Sequence, residues 1–405
     1  MAAAKLETTP EVMTDPVFTK YCMAGDIANR VMLFVIGNCK AGKPVLELSI
    51  EGDKLILEET DKIFRKEKSL KKGIAFPTSL SVNHCACNYN PSPDSDKGIN
   101  LKDGDVVKID LGVHIDGYIA TIAHTIVVGI SPENKVSGRK ADVILAAFYA
   151  SEILQRLIKP GGQNFNITEK ITLSASEFNT LPIEGIISHD MEQNRMLGEK
   201  RIIQNPGEAL RKEYKKCSFV ENEVYNVDVL FTTGEGKLKQ SDMKPTIFRR
   251  TESAYKLKLQ TARVFTNEVT TKFGNMPFTM RAIEDLKSAR MGVTECVNHQ
   301  VMEPYDVMFD KEGEFVAQFK YTVILRPSGN YKITGIPFDC SLYESEFSIK
   351  NEELVGYLSQ STSGKKNKKK KKGKTNEIGS EKEEKNSEIS QGDDKQTIES
   401  SNSTK

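Results

Sequence analysis

The chain has 405 residues, 38% of them hydrophobic and 28% charged, and its 57 Lys and Arg against 56 Asp and Glu leave a formal net charge of +1. That length suits one large or two ordinary globular domains, no apolar run reaches membrane-spanning length, and MAAAKLETTPEVMTD lacks the apolar core of a signal peptide, so no membrane insertion is expected. Seven scattered cysteines read as free thiols in a reducing compartment, and Cys85 and Cys87 have no second pair to complete a zinc site.

In chain order, residues 1–16 are expected to be disordered. Apolar residues at Ile27, Val31, Phe34 and Val35 predict a helix over 18–36, stopped by Gly42-Lys43-Pro44, and a second helical pattern covers 46–60. Residues 81–87 read as a strand and 91–102 as a polar loop. Two β-rich runs, 105–112 and 118–128, meet across Asp116-Gly117, a hairpin signal because both turn positions need positive φ. An amphipathic helix over 137–159 ends at Pro160-Gly161-Gly162, and another helix covers 167–178. A strand over 224–231 runs into Gly234-Glu235-Gly236. Helices over 253–273 and 279–298 then interrupt a strand-rich half and read as an insertion, about 239–300. The core domain spans 17–360. From 361 the chain is Lys, Ser, Asn and Glu with almost no apolar residues, too little to bury, and is expected to be disordered.

Glu314 to Pro327, EFVAQFKYTVILRP, closes the core as a strand. Phe315, Ala317, Phe319, Tyr321, Val323 and Leu325 fall on one side, and Val316, Gln318, Lys320, Thr322 and Ile324 on the other. A mid-strand lysine is ordinarily solvated on the wet face of an antiparallel sheet. What converges on this strand decides whether Lys320 is.

The blocks AFPTSLSVNHCACNYNP, VVKIDLGVHIDGYIATIAHT, IEGIISH, NEVYNVDVLFTTGEGK, MPFTMRA and EFVAQFKYTVILRP resemble, in order, those of type 2 methionine aminopeptidases. Together with GDIANRV, KKGIAFPTS, GRKADVI, IIQNP, ARMGVTEC and GKKNKKKKKGK, they resemble more closely the proliferation-associated family of ErbB-receptor-binding proteins, over roughly residues 15–375. The resemblance implies the α/β pita-bread fold with a helical insertion and a central cleft. It also implies a site to compare. The enzymes hold two metal ions with Asp, Asp, His, Glu and Glu, and a further cleft histidine assists catalysis; bridging carboxylates neutralise the ions, which activate the water between them.

By that resemblance the first Asp is Asp110 and the histidine His189. The second Asp position is Thr121, eleven residues after the first. The first Glu position is Asp228, one methylene shorter, and the last is Lys320. The cleft histidine position is Asn88; His84 belongs elsewhere in the motif. Replacing a bridging carboxylate by an ammonium moves the local charge by +2, and Thr121 adds +1. A divalent ion would be repelled, so no metal and no cofactor are expected. Lys320 is instead expected to pair with Asp110 and Asp228, because a buried ammonium requires compensation. His189 reads as a core histidine, with a residual role on a single metal as its alternative. His114 and His124, in or beside the hairpin, read as structural.

Charge is unevenly spread. Residues 361–405 carry a net +4, and Lys365, Lys366, Lys368, Lys369, Lys370, Lys371, Lys372 and Lys374 form one block. Such a block reads as nucleic-acid binding or nuclear targeting, or as a solubilising tail. Residues 239–298 carry +5, with Arg249, Arg250, Lys256, Lys258 and Arg263 as RNA-binding candidates or as a solvated face, and the remainder is −8. No base-reading module signature is present. The family's C-terminal region can carry an LxxLL interaction motif; here Tyr357 breaks it and Gly356 weakens the helix.

The resemblance therefore implies a catalytically inactive aminopeptidase fold that binds structured RNA and the large ribosomal subunit. It implies roles in ribosome biogenesis, translation control and growth regulation, with cytoplasmic and nuclear or nucleolar residence and protein partners in growth signalling. Two alternatives remain: an interaction adaptor in signalling or transcription without RNA, and a metalloaminopeptidase with an altered site.

Overall fold

The structure is a computed structural model, and it describes residues 13–93 and 98–361. Its frame is a nine-stranded, wholly antiparallel sheet. Along it lie Lys72–Val82, Val106–Ile115, Tyr118–Val127, Val316–Arg326, Val224–Thr232, Ile187–Met191 and Arg201–Ile203. Gly329–Lys332 pairs with Val316–Arg326, and Leu181–Pro182 with Val224–Thr232. The Asp116-Gly117 hairpin forms as the dipeptide predicts, with φ of 56° and 78°.

Two helix pairs cover the sheet. Asp15–Asn38 and Val45–Asp61 pack on the half that carries Val107, Ile109, Leu111 and Val113. Arg139–Leu157 and Asn164–Ser176 pack on the half that carries Val227, Val229, Ala317, Phe319, Tyr321 and Val323. The period of two in Val316–Arg326 is therefore used on both sides. Phe319 and Tyr321 go to the helices, while Gln318, Lys320 and Thr322 line the opposite face, which opens into the cleft.

Several boundaries differ from the sequence reading, for local reasons. The first helix starts at Asp15, with Pro16 in its first turn, so expected disorder ends before residue 16; residues 1–12 lie outside the described residues. The strand expected over 81–87 is two strands, because Asn83 turns the chain at φ 51°. The insertion is α/β, not helical throughout. Ile247–Arg250 pairs with both Phe278–Thr279 and Met302–Tyr305. Against that small sheet pack helices Gln260–Lys272 and Leu286–Asn298, around Phe248, Phe265, Val269, Phe278 and Cys296. Both helices are shorter than expected. The Glu295 carboxylate accepts from the N–H groups of Lys258 and Leu259 (2.6 and 2.9 Å), which ends the irregular lead-in. Asp285 caps the second by accepting from the Ser288 N–H at 3.0 Å.

Candidate functional site

Two adjacent rows of the sheet build the cleft floor. In the first, Asp110 pairs with Ala123, Ala123 with Lys320, and Lys320 with Asp228. Directly opposed residues of antiparallel strands share a face, so Asp110, Lys320 and Asp228 converge although Lys320 follows Asp110 by 210 residues and Asp228 by 92. The Lys320 Nζ lies 2.5 Å from Asp110 Oδ2 and 3.1 Å from Asp228 Oδ2. The three side chains are 11%, 8% and 13% exposed. The ammonium also faces the Phe76 ring at 5.6 Å. Gln318 Nε2 donates to Asp228 Oδ1 at 2.9 Å, whereas Asp110 Oδ1 is buried without a hydrogen-bond partner.

The electrostatics follow from two carboxylates sharing one ammonium. Burial would lower the pKa of Lys320, but the Asp110 and Asp228 charges outweigh it and hold the ammonium above the ordinary lysine value. Burial dominates at Asp110. Against the pull of Lys320, and with the Asp228 charge adding to it, burial pushes that carboxyl up to about 6.

The second row is neutral. Thr322 pairs with Asn226, and Asn226 with His189. The Thr121 N–H donates to Thr322 Oγ1 at 2.9 Å, and its hydroxyl donates to Asn226 Oδ1 at 2.7 Å. Asn226 Nδ2 then lies 3.1 Å from His189 Nε2, and His189 Nδ1 lies 3.1 Å from the Asp190 carbonyl. The carbonyl can only accept, so Nδ1 carries the proton and Nε2 accepts from Asn226. Burial lowers the His189 pKa to about 4, which keeps the ring neutral.

These residues do not fit a two-metal centre. Both carboxylates already face an ammonium, the Thr121 hydroxyl is neutral and bonded, and His189 Nε2 is bonded to an amide. At an effective dielectric of about 20, a divalent ion some 3 Å from Lys320 would be repelled by about 10 kcal/mol. Among the described residues no group of three or more His, Cys, Asp or Glu is arranged to hold a metal ion. Asn88 lines the cleft at φ 64°, a left-handed position that asparagine tolerates, and donates to the Asp306 carbonyl at 2.9 Å. The cavity is about 460 Å³. Met196, Leu197 and Tyr305 are part of its wall, and Arg201 and Glu303 lie among the lining residues.

His114 and His124 sit in the hairpin strands, both buried. His114 Nδ1 accepts from the Gly117 N–H at 3.4 Å. Of the basic candidates, Arg249 is half-buried and ion-paired with Glu303, and Arg250 is half-buried beside it. Lys256, Lys258 and Arg263 are exposed. The lysines from Lys365 to Lys374 lie outside the described residues. Leu354 to Leu358 forms the end of helix Glu352–Leu358 despite Gly356, with Leu354 fully buried and Val355 outward. The sequence reading did not single out Gln318, Asn226 or Thr322. The signal for them was the same period of two that placed Lys320: Gln318 and Thr322 flank it on its own face, and Asn226 lies two residues before Asp228.

Comparison with known proteins identifies the fold and the family. The model of metallopeptidase family M24 matches residues 20–327. Proliferation-associated protein A of Dictyostelium discoideum is 39% identical over 350 residues, covering 86% of this chain and 90% of its own. ERBB-3 binding protein 1 of Arabidopsis thaliana is 38% identical over 385 residues, covering 93% and 94%. The solved structure of a thermophilic Arx1 superposes with a TM-score of 0.81 at 32% identity, covering 87% of this chain and 100% of that one. A central antiparallel sheet backed by two helix pairs, with a cleft on its open face, is the pita-bread fold of family M24. Within that family the chain belongs with the proliferation-associated proteins, relatives of type 2 methionine aminopeptidases.

Proposed function

We propose that this protein is a non-catalytic member of its family, and that it binds structured RNA on the large ribosomal subunit in ribosome biogenesis and translation control. The observation that carries the first half is the Lys320 ammonium, 2.5 and 3.1 Å from the two carboxylates that a metal centre would need. Support for the second half is the kinship with proliferation-associated proteins and an Arx1, and the exposed Lys256, Lys258 and Arg263 on the insertion. The name of the Arabidopsis relative supports protein partners in growth signalling as well. Residence in the cytoplasm and nucleolus belongs to the same reading.

Calorimetric titration with Co²⁺ or Mn²⁺ tests the inactive site. No binding at the cleft and no release of N-terminal methionine are expected. Metal-dependent release abolished by Asp110→Ala would overturn the reading. Lys320→Glu alone should not restore activity, because Thr121 and Asn88 remain. Co-sedimentation with purified large ribosomal subunits across a salt series tests the second half, the full chain against one ending at Gln360. Salt-sensitive binding weakened by truncation assigns part of it to the lysine block. Binding that survives truncation moves it to the body. Absence of binding at every salt concentration favours the adaptor reading without RNA.

A further inference from the structure

Residues 62–72, KIFRKEKSLKK, hold six Lys and Arg against one Glu. The chain outside the insertion and tail carries −8, and without this stretch −13, so its positive charge is segregated. The loop has a fixed shape. Phe64 adopts φ 46°, the Glu67 N–H donates to the Phe64 carbonyl at 3.0 Å, and the Leu70 N–H to the Glu67 carbonyl at 3.1 Å. The Lys71 carbonyl accepts from the Asp116 N–H at 2.6 Å, which ties the loop to the hairpin tip. Ile63, Phe64 and Leu70 pack inward on the core beneath. The cations point the other way: Lys62, Arg65, Lys66, Lys68 and Lys71 are exposed. Among the described residues Lys66 and Lys68 have no carboxylate within ion-pair distance, whereas Lys62 pairs with Glu59.

The loop is joined to the insertion at two points. Lys71 Nζ donates to the Thr271 carbonyl, at the end of helix Gln260–Lys272, at 3.4 Å. Helix Val45–Asp61, which delivers the chain into the loop, is fastened by Asp53 to Arg281 at 2.5 Å, and both side chains are nearly buried. Asp53 also accepts from the Thr78 N–H at 2.7 Å. Helix Gln260–Lys272 then runs about 18 Å from Thr271 back towards the exposed Lys258. Along it Arg263 is exposed, whereas Lys272 pairs with Glu268 and Glu284 at 2.9 and 2.8 Å.

We propose that residues 62–72, with the exposed Lys258 and Arg263 of the insertion beyond them, form one track for the phosphate backbone of structured RNA. The inference rests on the RNA reading above and names a contact surface for it. Unpaired, outward lysines on a fixed loop suit a polyanion, because counterion release rewards each phosphate neutralised. A lipid surface would call for apolar side chains at the loop tip, and here they face inward.

The test uses the full chain and a short RNA duplex as probe, with binding followed by anisotropy across a salt series. Lys66→Glu/Lys68→Glu is compared with wild type and with Lys135→Glu, a residue that pairs with Glu344 outside the track. Thermal melting of all three proteins should coincide, since the positions are exposed. The expected result is salt-dependent binding by wild type and Lys135→Glu, and weaker binding by the double variant with a slope of log K against log salt shallower by about 2. Equal slopes and affinities for wild type and double variant would overturn the track while leaving the RNA reading in place. A double variant that loses large ribosomal subunits but holds the duplex as well as wild type would also overturn it, because the loop would then meet protein. If wild type does not bind the duplex, the RNA reading falls and takes the track with it.

Discussion

Lys320 and Lys66 are the same residue type in opposite circumstances. Lys320 is enclosed, held by two carboxylates and a ring face, and its charge is compensated inside the fold. Lys66 stands on a surface loop with no acidic partner among the described residues. The cleft thus uses positive charge to complete itself, and the loop presents it outward. A compensated charge contributes to stability and is invisible to a polyanion. An uncompensated surface charge does the reverse. The two regions therefore separate by experiment: cleft variants should act on stability, loop variants on binding.

The largest effect is expected at the cleft. Lys320→Ala leaves Asp110 and Asp228 facing each other without a counter-charge, and should destabilise the fold by about 3–5 kcal/mol. Urea denaturation read by circular dichroism measures it. A loss under about 1 kcal/mol would mean that the pair is not held as described. Adding Asp110→Asn to Lys320→Ala should recover part of the loss, because it removes one of the two repelling charges.

The pairing itself was legible in the sequence. Period-two alternation put Lys320 on the face opposite Phe319 and Tyr321, and the ordered motifs named its two partners. What was not legible was the neutral row. Nothing in local sequence says that the Thr121 hydroxyl meets Asn226, or that Asn226 meets His189, because those contacts are set by register between strands far apart in the chain. The insertion's small sheet was missed for a related reason: Phe278–Thr279 is two residues long and has no period to read. The basic loop at 62–72 carries no motif that singles it out in the sequence. Its interest depends on Lys71 reaching Thr271, a contact across 200 residues.

The second effect is one of pH. Burial lowers the His124 pKa to about 3, and its ring meets Phe319 and Phe338 at 5.2 and 5.9 Å. The unfolded chain binds the proton more readily, so this residue's contribution is full above about pH 6.5 and is lost as pH falls towards 3. His124→Phe should remove up to one proton from that dependence, about 1.4 kcal/mol per pH unit. Asp110 acts with the opposite sign. Its carboxyl, raised to about 6, takes up a proton in the folded state first, so stability is gained as pH falls from about 6 to 4. Asp110→Asn should therefore steepen the acid loss that His124→Phe relieves. Equilibrium unfolding between pH 4 and 7 reads both.

A smaller effect is expected in the neutral row. Thr121→Val keeps the shape and removes the donor to Asn226 Oδ1, which should cost about 1–2 kcal/mol. Thr121→Asp is the more informative change. It places a carboxylate against Asn226 Oδ1, an acceptor, so the amide must turn over and its bond to His189 Nε2 must be remade. If the His189 resonances in NMR do not move in Thr121→Asp, the hydrogen-bonded row is not continuous.

The smallest effect completes the contrast. Lys66→Ala/Lys68→Ala should change stability by no more than about 0.5 kcal/mol, because neither side chain has an acidic partner in the fold. The outcome matters in both directions. A loss of several kcal/mol would show that the loop lysines are compensated within the protein, as Lys320 is, and are not displayed for a partner. Stabilisation by a few tenths would show that the six cations of residues 62–72 repel one another in the free protein. That strain would be relieved when phosphates arrive. Measured in rising salt, such a gain should shrink, since a Debye length of about 8 Å at physiological ionic strength already screens neighbouring exposed charges. The cleft pair, shielded from solvent, should show no comparable salt dependence.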